Sequence, residues 1–545
     1  MLRPVTLAVV VVALLSAAGA RLRVDPLVET RKGLIKGLRS ENGEFSKFLG
    51  VPYALVDEDN PFGSSVPHPG FEETFEAFDD SVVCPQLTDN VAVGSLQCLN
   101  LNIYVPNTAT SRNKRPVMIW IHGGGGFMSG SGTSRDYSFE DLVRHDVIIV
   151  SVNYRLGAFG FFCLDSADVP GNQGLKDQVL ALKWIKENIE AFGGDTSKIT
   201  LFGESAGGVA VELHLLTEQE KFFNQVIVQS ASAFIPGAIM KPDNSIPIRI
   251  ASRLGFKTDN FVEAIAFLAD QDPLLVVGAT RSDGPVTLTD ATFGLFRACI
   301  ENEYNGVYRF LANTPENLDP KKLRNIPVIY GVNDREMLTL HALISPEEYE
   351  QPAIRNYMNI AFDLKENEIE EDVTHFYIAD EPFNPEVFDK FINFASNYYF
   401  HYPVERSLKK ILNAGNEDIY YYVFSYDGGR NAMKNHLGIT APGAAHADEL
   451  GYLLAVDLQP GELVAEEDQL VIDRITTLWT NFAKFGNPTP ETSDLLPVVW
   501  SPVTASRRPF LEIGADFGLK SRPFHDRMAF WDLFYKLYGK LERIH

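Results

Sequence analysis

Short runs of apolar residues recur in the first half of the chain. Residues 116–122 (PVMIWIH) and 147–153 (VIIVSVN) are apolar at nearly every position, and shorter runs lie at 198–202 and 225–229. Runs of this length without polar alternation are typical of strands buried on both faces of a parallel sheet. We therefore predict four buried strands in this part of the chain.

Helical patterns separate these strands. Residues 206–216 form an apolar stretch of helix length between two strands. Between residues 172 and 191, apolar side chains recur at helical spacing, at Leu175, Val179, Leu182, Ile185 and Ile189. Strands that alternate with helices favour right-handed crossovers and an open, mostly parallel sheet. The predicted fold class is α/β, with a large central sheet flanked by helices.

The second half of the chain is less regular. Residues 327–330 and 419–424 (IYYYVF) are predicted strands, and long helical stretches cover roughly 255–270 and 345–415. Helical insertions between the strands of such a sheet often cover the site at its edge. We expect these insertions to lie over the active site.

Composition and charge narrow the classes of protein. The 545 residues are 45% apolar and 22% charged, which is usual for a globular protein with a large core. No linker or low-complexity segment divides the chain, so we expect a single domain over residues 21–545. The net charge of −24 repels phosphate backbones and anionic lipids, which excludes nucleic acid and membrane as expected partners.

The N-terminus has the pattern of a signal peptide. Arg3 precedes an apolar run at residues 5–18, which is too short to span a bilayer, and Ala18-Gly19-Ala20 is a small-residue cleavage site. We predict that residues 1–20 are removed and that the protein is secreted to the extracellular space.

An oxidising compartment permits disulfides among the four cysteines. Cys84 and Cys98 are close enough in sequence to close a small surface ring. Cys163 and Cys299 lie in apolar surroundings and are either buried thiols or a second pair. No cysteine or histidine spacing indicates zinc, and we expect no metal site.

The segment GESAGG at 203–208 matches G-x-S-x-G directly after a predicted strand and directly before a predicted helix. This setting is that of a nucleophile elbow, in which glycines allow a sharp turn and leave the serine hydroxyl exposed. Ser205 is therefore the candidate nucleophile. The start of the following helix favours developing negative charge beside it.

A glycine-rich loop follows the predicted strand at 116–122. Its sequence, HGGGGF at 122–127, lets backbone N–H groups approach a substrate oxygen closely. Two of these amides, together with the N–H of Ala206, are candidate donors to the oxyanion of a tetrahedral intermediate.

A serine nucleophile needs a base, and the base needs an orienting acid. In this fold type the chain order is Ser, acid, His. Asp334 and Glu336 are candidate acids after the predicted strand at 327–330. Spacing does not choose among the histidines beyond them, which are His341, His375, His401, His436, His446, His525 and His545. His446 ends a small-residue loop at 441–446 that suits close approach.

Longer motifs carry a family resemblance. They are FLGVPYA at 48–54, CLNLNIY at 98–104, VNYRLG at 152–157, FGGD at 192–195 and WTNFAKFGNP at 479–488. With these motifs the chain resembles the type-B carboxylesterase/cholinesterase family from about residue 25 to 535. It is most similar to insect-type secreted carboxylesterases.

The resemblance implies an α/β-hydrolase fold and assigns roles to residues. It makes Ser205 the nucleophile, Glu336 the acid and His446 the base. The remaining residues that it implies are Gly124, Gly125 and Ala206 as oxyanion donors, the disulfide Cys84–Cys98, and Ser230 as a support for Glu336.

Several positions depart from the family pattern. Four glycines precede Phe127 where the family usually has three, which leaves Gly125 and Gly126 as an alternative pair of donors. Met337 and Ala231 stand where glycine is usual. Residues 85–97 contain no Trp, Tyr or Phe for a cation–π contact, which argues against a cholinesterase. Juvenile-hormone esterases tend to have Gln where Glu204 stands, so the chain resembles them less.

The expected function is that of a serine carboxylic ester hydrolase with an acyl-enzyme intermediate and no cofactor. Its partner is a small-molecule ester, and we expect general, xenobiotic or odorant and pheromone ester clearance. The alternative is a non-catalytic or slow-turnover ester-binding scavenger on the same scaffold. The sequence leaves the oligomeric state open.

Overall fold

A computed structural model describes residues 26–281, 296–319, 321–343, 353–362, 364, 368–382, 384, 387–456 and 463–542. The predicted signal peptide at 1–20 and parts of the predicted helical stretch at 345–415 lie outside the described residues.

Eleven strands form one large central sheet. In chain order they are β1 (Leu38–Arg39), β2 (Phe45–Pro52), β3 (Asn100–Pro106), β4 (Arg115–Ile121), β5 (Ile148–Val152), β6 (Gly194–Glu204), β7 (Gln225–Gln229), β8 (Val328–Asn333), β9 (Ile419–Phe424), β10 (Pro509–Ile513) and β11 (Gly518–Ser521). Their order across the sheet is β11-β10-β9-β8-β7-β6-β4-β5-β3-β2-β1. Across the sheet, the strands β5-β4-β6-β7-β8-β9-β10 are parallel to their neighbours. The pairs β10-β11, β5-β3, β3-β2 and β2-β1 at the two edges are antiparallel. The prediction of a mostly parallel sheet is confirmed.

Short strands outside this sheet form smaller units. They are Leu27–Thr30 with Gly33–Lys36 and Phe75–Glu76, Ala54–Leu55 with Val66–Pro67, Gln86–Thr88 with Val91–Val93, and Ile239–Met240 with Ala298–Cys299.

Helices connect the strands and cover both faces of the sheet. They are α1 (Glu140–Val143), α2 (Gly157–Phe161), α3 (Gln173–Asn188), α4 (Ala206–Leu216), α5 (Ser245–Arg253), α6 (Phe261–Ala269), α7 (Pro273–Gly278), α8 (Leu340–Leu343), α9 (Ala353–Met358), α10 (Glu368–Tyr377), α11 (Phe388–Ser396), α12 (Tyr402–Asn413), α13 (Ala432–Leu437), α14 (Leu450–Leu453), α15 (Glu466–Phe485) and α16 (His525–Tyr538). A π-helical turn, Asn397–His401, joins α11 to α12.

Side chains that alternate along the buried strands enter two separate cores. In β4, Ile119 and Ile121 belong to the larger core, whereas Trp120 belongs to the smaller one. Helices α3 and α4 pack in the larger core, and α15 packs in the smaller one through Trp479. The sheet is therefore buried on both faces, which explains the continuous apolar runs of its central strands.

A buried ion pair joins the end of β5 to helix α3. Arg155 and Asp177 are both fully buried, with Arg155 Nε 2.7 Å from Asp177 Oδ2. Arg155 also donates to the carbonyl oxygens of Pro61 and Gly63. This pair fixes the N-terminal segment against the central sheet.

Two disulfides cross-link the chain. The structure pairs Cys84 with Cys98, and it pairs Cys163 with Cys299, a pairing that the sequence left open. No helix within the described ranges is long and apolar enough to cross a membrane.

Candidate active site

Ser205 occupies the turn between a strand and a helix. β6 ends at Glu204 and α4 begins at Ala206, so Ser205 alone makes the turn, with φ 57° and ψ −128°. A non-glycine residue held at positive φ is strained, typically by about 1–3 kcal/mol, and such strain is usual at functional sites. A Cβ at Gly207 would lie 2.1 Å from the carbonyl oxygen of Ile121, so the turn requires glycine at that position.

The structure brings Ser205, His446 and Glu336 together in one hydrogen-bonded chain. His446 Nε2 lies 2.9 Å from Ser205 Oγ, and His446 Nδ1 lies 2.8 Å from Glu336 Oε2. Glu336 is fully buried, and its other oxygen accepts the N–H of Asn333 at 2.7 Å. The backbone N–H of His446 donates to the carbonyl oxygen of Glu336 at 3.0 Å, which fixes the two residues side by side.

Of the other candidate residues, His436 lines the cavity beside Ser205, whereas Asp334 and His401 have different contacts. Asp334 accepts the N–H of Ala444 at 2.8 Å and so positions the loop before His446. His401 Nε2 contacts the carbonyl oxygen of Asn333. The candidate at position 545 lies outside the described residues.

Glycines of the loop after β4 form part of a cavity beside Ser205. Gly125 and Gly126 line this cavity with Ala206, whereas Gly124 does not line it. Gly124 lies against Ser129, and a Cβ added at Gly124 would be 2.1 Å from the carbonyl oxygen of Ser129. The expectation that Gly124 and Gly125 are the donors stays a prediction, and the cavity lining favours the alternative pair, Gly125 and Gly126, that the extra glycine left open.

The cavity is about 420 Å³ in volume and mostly apolar. Ser205 and His446 lie in its wall, and its apolar lining comprises Phe127, Val209, Ile235, Ala238, Met337, Leu340, Phe400, Met433 and Leu437. Phe400, in the π-helical turn, places its ring 4.8 Å from the His446 ring, measured between centroids. Among the described residues, no group of three or more His, Cys, Asp or Glu side chains is arranged to hold a metal ion.

Comparison with known proteins identifies the family. Residues 24–531 match the description "Carboxylesterase family". The chain belongs to the carboxylesterase family. It is 31% identical to juvenile hormone esterase from Tribolium castaneum, over 85% of this chain and 84% of that protein. It is 30% identical to esterase FE4 from Myzus persicae, over 88% of this chain and 87% of that protein.

A solved structure shows the same fold. The crystal structure of juvenile hormone esterase from Manduca sexta, with OTFP covalently attached, superposes with a TM-score of 0.80 at 27% identity. The superposition covers 94% of this chain and 100% of that chain. The chain is a carboxylesterase with the α/β-hydrolase fold, which confirms the predicted family and fold class.

Two buried carboxyl groups of this carboxylesterase were not anticipated from the sequence. Glu204 Oε1 lies 3.2 Å from His446 Nε2, on the side where Ser205 also approaches. Glu449 is fully buried and accepts hydrogen bonds from Gln229 at 3.0 Å and from Asn333 at 2.8 Å. Their sequence positions could have identified them, since Glu204 directly precedes Ser205 and Glu449 lies shortly after His446.

The acids and the histidine shift one another's proton affinity. Burial raises the pKa of Glu204 and of Glu449, because the charged carboxylate loses its hydration. Burial alone lowers the pKa of His446, but the carboxylates of Glu204 and Glu336 outweigh it, so that pKa is raised. Glu204 and His446 therefore titrate as a pair.

The Ser230 hydroxyl makes no hydrogen bond to Glu336. Ser230 Oγ lines the cavity and has no hydrogen-bond partner among the described residues. Its backbone N–H donates to the carbonyl oxygen of Gly331 at 2.8 Å, and its φ is 48°. Glu336 accepts the N–H of Asn333 and contacts His446 directly, so a supporting role of the Ser230 hydroxyl stays a prediction.

Proposed function

We propose that the chain hydrolyses carboxylic esters through an acyl-enzyme formed on Ser205. The hydrogen-bonded chain from Ser205 Oγ through His446 to buried Glu336 carries this proposal. As Ser205 Oγ attacks the ester carbonyl carbon, His446 Nε2 takes the hydroxyl proton. His446 then gives that proton to the departing alcohol, whose bond to the carbonyl carbon breaks.

Hydrolysis of the acyl-enzyme completes the cycle. Water attacks the acyl carbonyl while His446 Nε2 takes one of its protons. The bond to Ser205 Oγ breaks, and His446 returns the proton to that oxygen as the carboxylic acid product leaves. Glu336 keeps the imidazole in the correct tautomer and stabilises its positive charge.

The oxyanion of each tetrahedral intermediate is assigned to the amides at the cavity. The N–H groups of Gly125, Gly126 and Ala206 have no hydrogen-bond partner among the described residues. Preorganised donors of this kind stabilise developing negative charge, and loss of one donor typically costs about 2.7–4 kcal/mol.

The cavity favours neutral, apolar esters. Two phenylalanines, Phe127 and Phe400, and a larger set of aliphatic side chains make up its apolar lining, while Arg297 and His436 are among its polar residues. Such a wall stabilises acyl and alcohol groups by removing their apolar surface from water. Small-molecule esters of general, xenobiotic, odorant or pheromone type share this chemistry, and we infer clearance of such esters as the role.

We also infer that the protein acts outside the cell. Both described disulfides, Cys84–Cys98 and Cys163–Cys299, are of the kind that persists in oxidising compartments. The relatives named above are esterases of insects, and a secreted esterase fits a role in ester clearance.

Pre-steady-state kinetics with a p-nitrophenyl ester test the proposal. Steady release of p-nitrophenol after a stoichiometric burst is the expected result for an enzyme with an acyl intermediate. A burst without further turnover would instead indicate a scavenger. Neither burst nor turnover would indicate a binding protein and would contradict the proposal.

A further inference from the structure

One wall of the ester cavity is built outside the main sheet. We call residues 235–240 and 297–299 the side wall. Its two short strands, Ile239–Met240 and Ala298–Cys299, pair in parallel with each other. Three of its residues line the cavity, namely Ile235, Ala238 and Arg297. Because the main sheet does not include these strands, other contacts must fix the side wall in place.

A disulfide and a buried polar cluster attach the side wall to the body of the protein. Cys299 is bonded to Cys163, which follows helix α2. Asn172 accepts the N–H of Cys299 at 2.8 Å and donates to its carbonyl oxygen at 2.7 Å. Just beyond the side wall, buried Glu301 pairs with Lys176 of α3 at 2.6 Å. These contacts converge on one point, the Cys299 end of the side wall.

The same disulfide is linked to the oxyanion side of the cavity. Helix α2 ends two residues before Cys163 and contributes Phe161, whose ring stacks on that of Phe127 at 4.4 Å between centroids. Phe127 directly follows the glycine loop and lines the cavity. Phe162, which follows Phe161 in the chain, makes an edge-to-face contact with Phe296 at 5.7 Å between ring centroids. Cys163–Cys299 therefore joins two walls of the same cavity.

We propose that the Cys163–Cys299 disulfide sets the width of the ester cavity and so determines the size of acyl group that the enzyme accepts. This inference rests on the proposed function, since it concerns the same cavity. The disulfide acts by positioning and touches none of the catalytic groups. Ser205 is held by β6 and α4, and His446 by Glu336, so the triad keeps its own supports when the side wall loosens.

The test compares a small and a bulky acyl group on one leaving group. We measure kcat/KM for p-nitrophenyl acetate and p-nitrophenyl pivalate with the wild type and with the double variant Cys163→Ala/Cys299→Ala. Pivaloyl carries three more carbons than acetyl, and one methylene in a fitted pocket is typically worth about 10–200-fold. A loosened wall admits the branched acyl group, so the pivalate-to-acetate ratio should rise about threefold or more, a part of that discrimination. Assays run well below the unfolding temperature of each variant.

Two further variants make the test selective. Cys84→Ala/Cys98→Ala removes the other disulfide, neither of whose cysteines lines the cavity, and should leave the ratio unchanged. Asn172→Gly removes both hydrogen bonds to Cys299 while keeping a residue that tolerates the observed φ of 57°. It also removes the hydrogen bond from Asn172 to Glu301 and leaves the disulfide intact, so it loosens the same end of the side wall and should move the ratio in the same direction as the double variant. If that double variant does not fold, Cys163→Ser/Cys299→Ser breaks the disulfide in its place.

Two results would overturn the inference. One is an unchanged ratio in both Cys163→Ala/Cys299→Ala and Asn172→Gly, which would reduce the disulfide to a stabilising cross-link. The other is a lower pivalate-to-acetate ratio in both variants, which would show that the side wall does not limit the larger acyl group. Absence of acetate hydrolysis by the wild type would instead refute the proposed function, so the two failures are distinguishable.

Discussion

At the scale of single residues, the His446 imidazole lies between two carboxyl groups. Glu336 contacts His446 Nδ1, whereas Glu204 approaches Nε2, the atom that exchanges a proton with Ser205 in the proposed mechanism. A carboxylate at this distance stabilises imidazolium and so opposes formation of the neutral base. The pH dependence of the enzyme should therefore report the presence of Glu204.

Glu204→Gln should extend activity to lower pH. The substitution removes a group that favours the charged imidazole, so the pKa of His446 falls and the neutral base persists at lower pH. The acid limb of the kcat/KM profile should move down by about one pH unit or more. Glu204→Asp, which keeps the carboxylate, is the matched control and should retain more of the wild-type limb. An unchanged limb in Glu204→Gln would show that Glu204 does not influence His446.

The oxyanion donors give a second prediction at this scale. A trifluoromethyl ketone should add to Ser205 Oγ and place its oxygen about 2.7–3.1 Å from the amide nitrogens of Gly125, Gly126 and Ala206. A crystal structure of the adduct measures these distances directly. An oxygen bonded to Gly124 instead would restore the register that the family resemblance implied.

At the scale of elements, the strand-turn-helix at Ser205 was predictable and its surroundings were only partly so. The sequence predicts α4 and β7 with the observed bounds, because both are continuous apolar segments between clear breaks. β6 begins at Gly194, before the predicted residue 198, because its first residues are polar and partly exposed. The glycine loop has no side-chain pattern, so its register needed the structure.

Long-range pairings were beyond sequence reasoning for a physical reason. Cys163 and Cys299 are 136 residues apart, and only the folded chain brings them together. The same holds for Phe400, whose contact with His446 arises from a π-helical turn that has no sequence period of its own.

The turn at Ser205 should not tolerate a methyl group at position 207. In Gly207→Ala the new Cβ would lie 2.1 Å from the carbonyl oxygen of Ile121, so β4 or the turn must move. We expect loss of esterase activity and destabilisation by about 1–3 kcal/mol, measured by chemical denaturation. Gly278→Ala is the control, since a Cβ there meets nothing within 4 Å. Full activity in Gly207→Ala would contradict the described turn.

At the scale of the whole molecule, buried charges join distant segments to the sheet. Arg155 and Asp177 connect β5, α3 and the loop at 61–63. When one partner of a buried pair is removed, the other charge is left uncompensated in a medium that cannot hydrate it. The fold should therefore be far more sensitive here than at its exposed ion pairs.

Asp177→Asn should destabilise the protein by about 3–5 kcal/mol, measured by chemical denaturation. Lys114→Ala provides the comparison, because it breaks the ion pair with Glu190 in which both side chains are exposed, at 40% and 53%. That variant should unfold at the same denaturant concentration as the wild type. Equal effects of the two substitutions would contradict a dominant role for the buried pair.

The identity of the nucleophile is the central claim, and covalent labelling tests it most directly. The wild type is treated with a fluorophosphonate, and the adduct is mapped by peptide mass spectrometry alongside Ser205→Ala. We predict one adduct, on Ser205, formed in step with loss of ester hydrolysis and absent from Ser205→Ala. Labelling that persists in Ser205→Ala, or an adduct on another residue of the active wild type, would show that the nucleophile lies elsewhere.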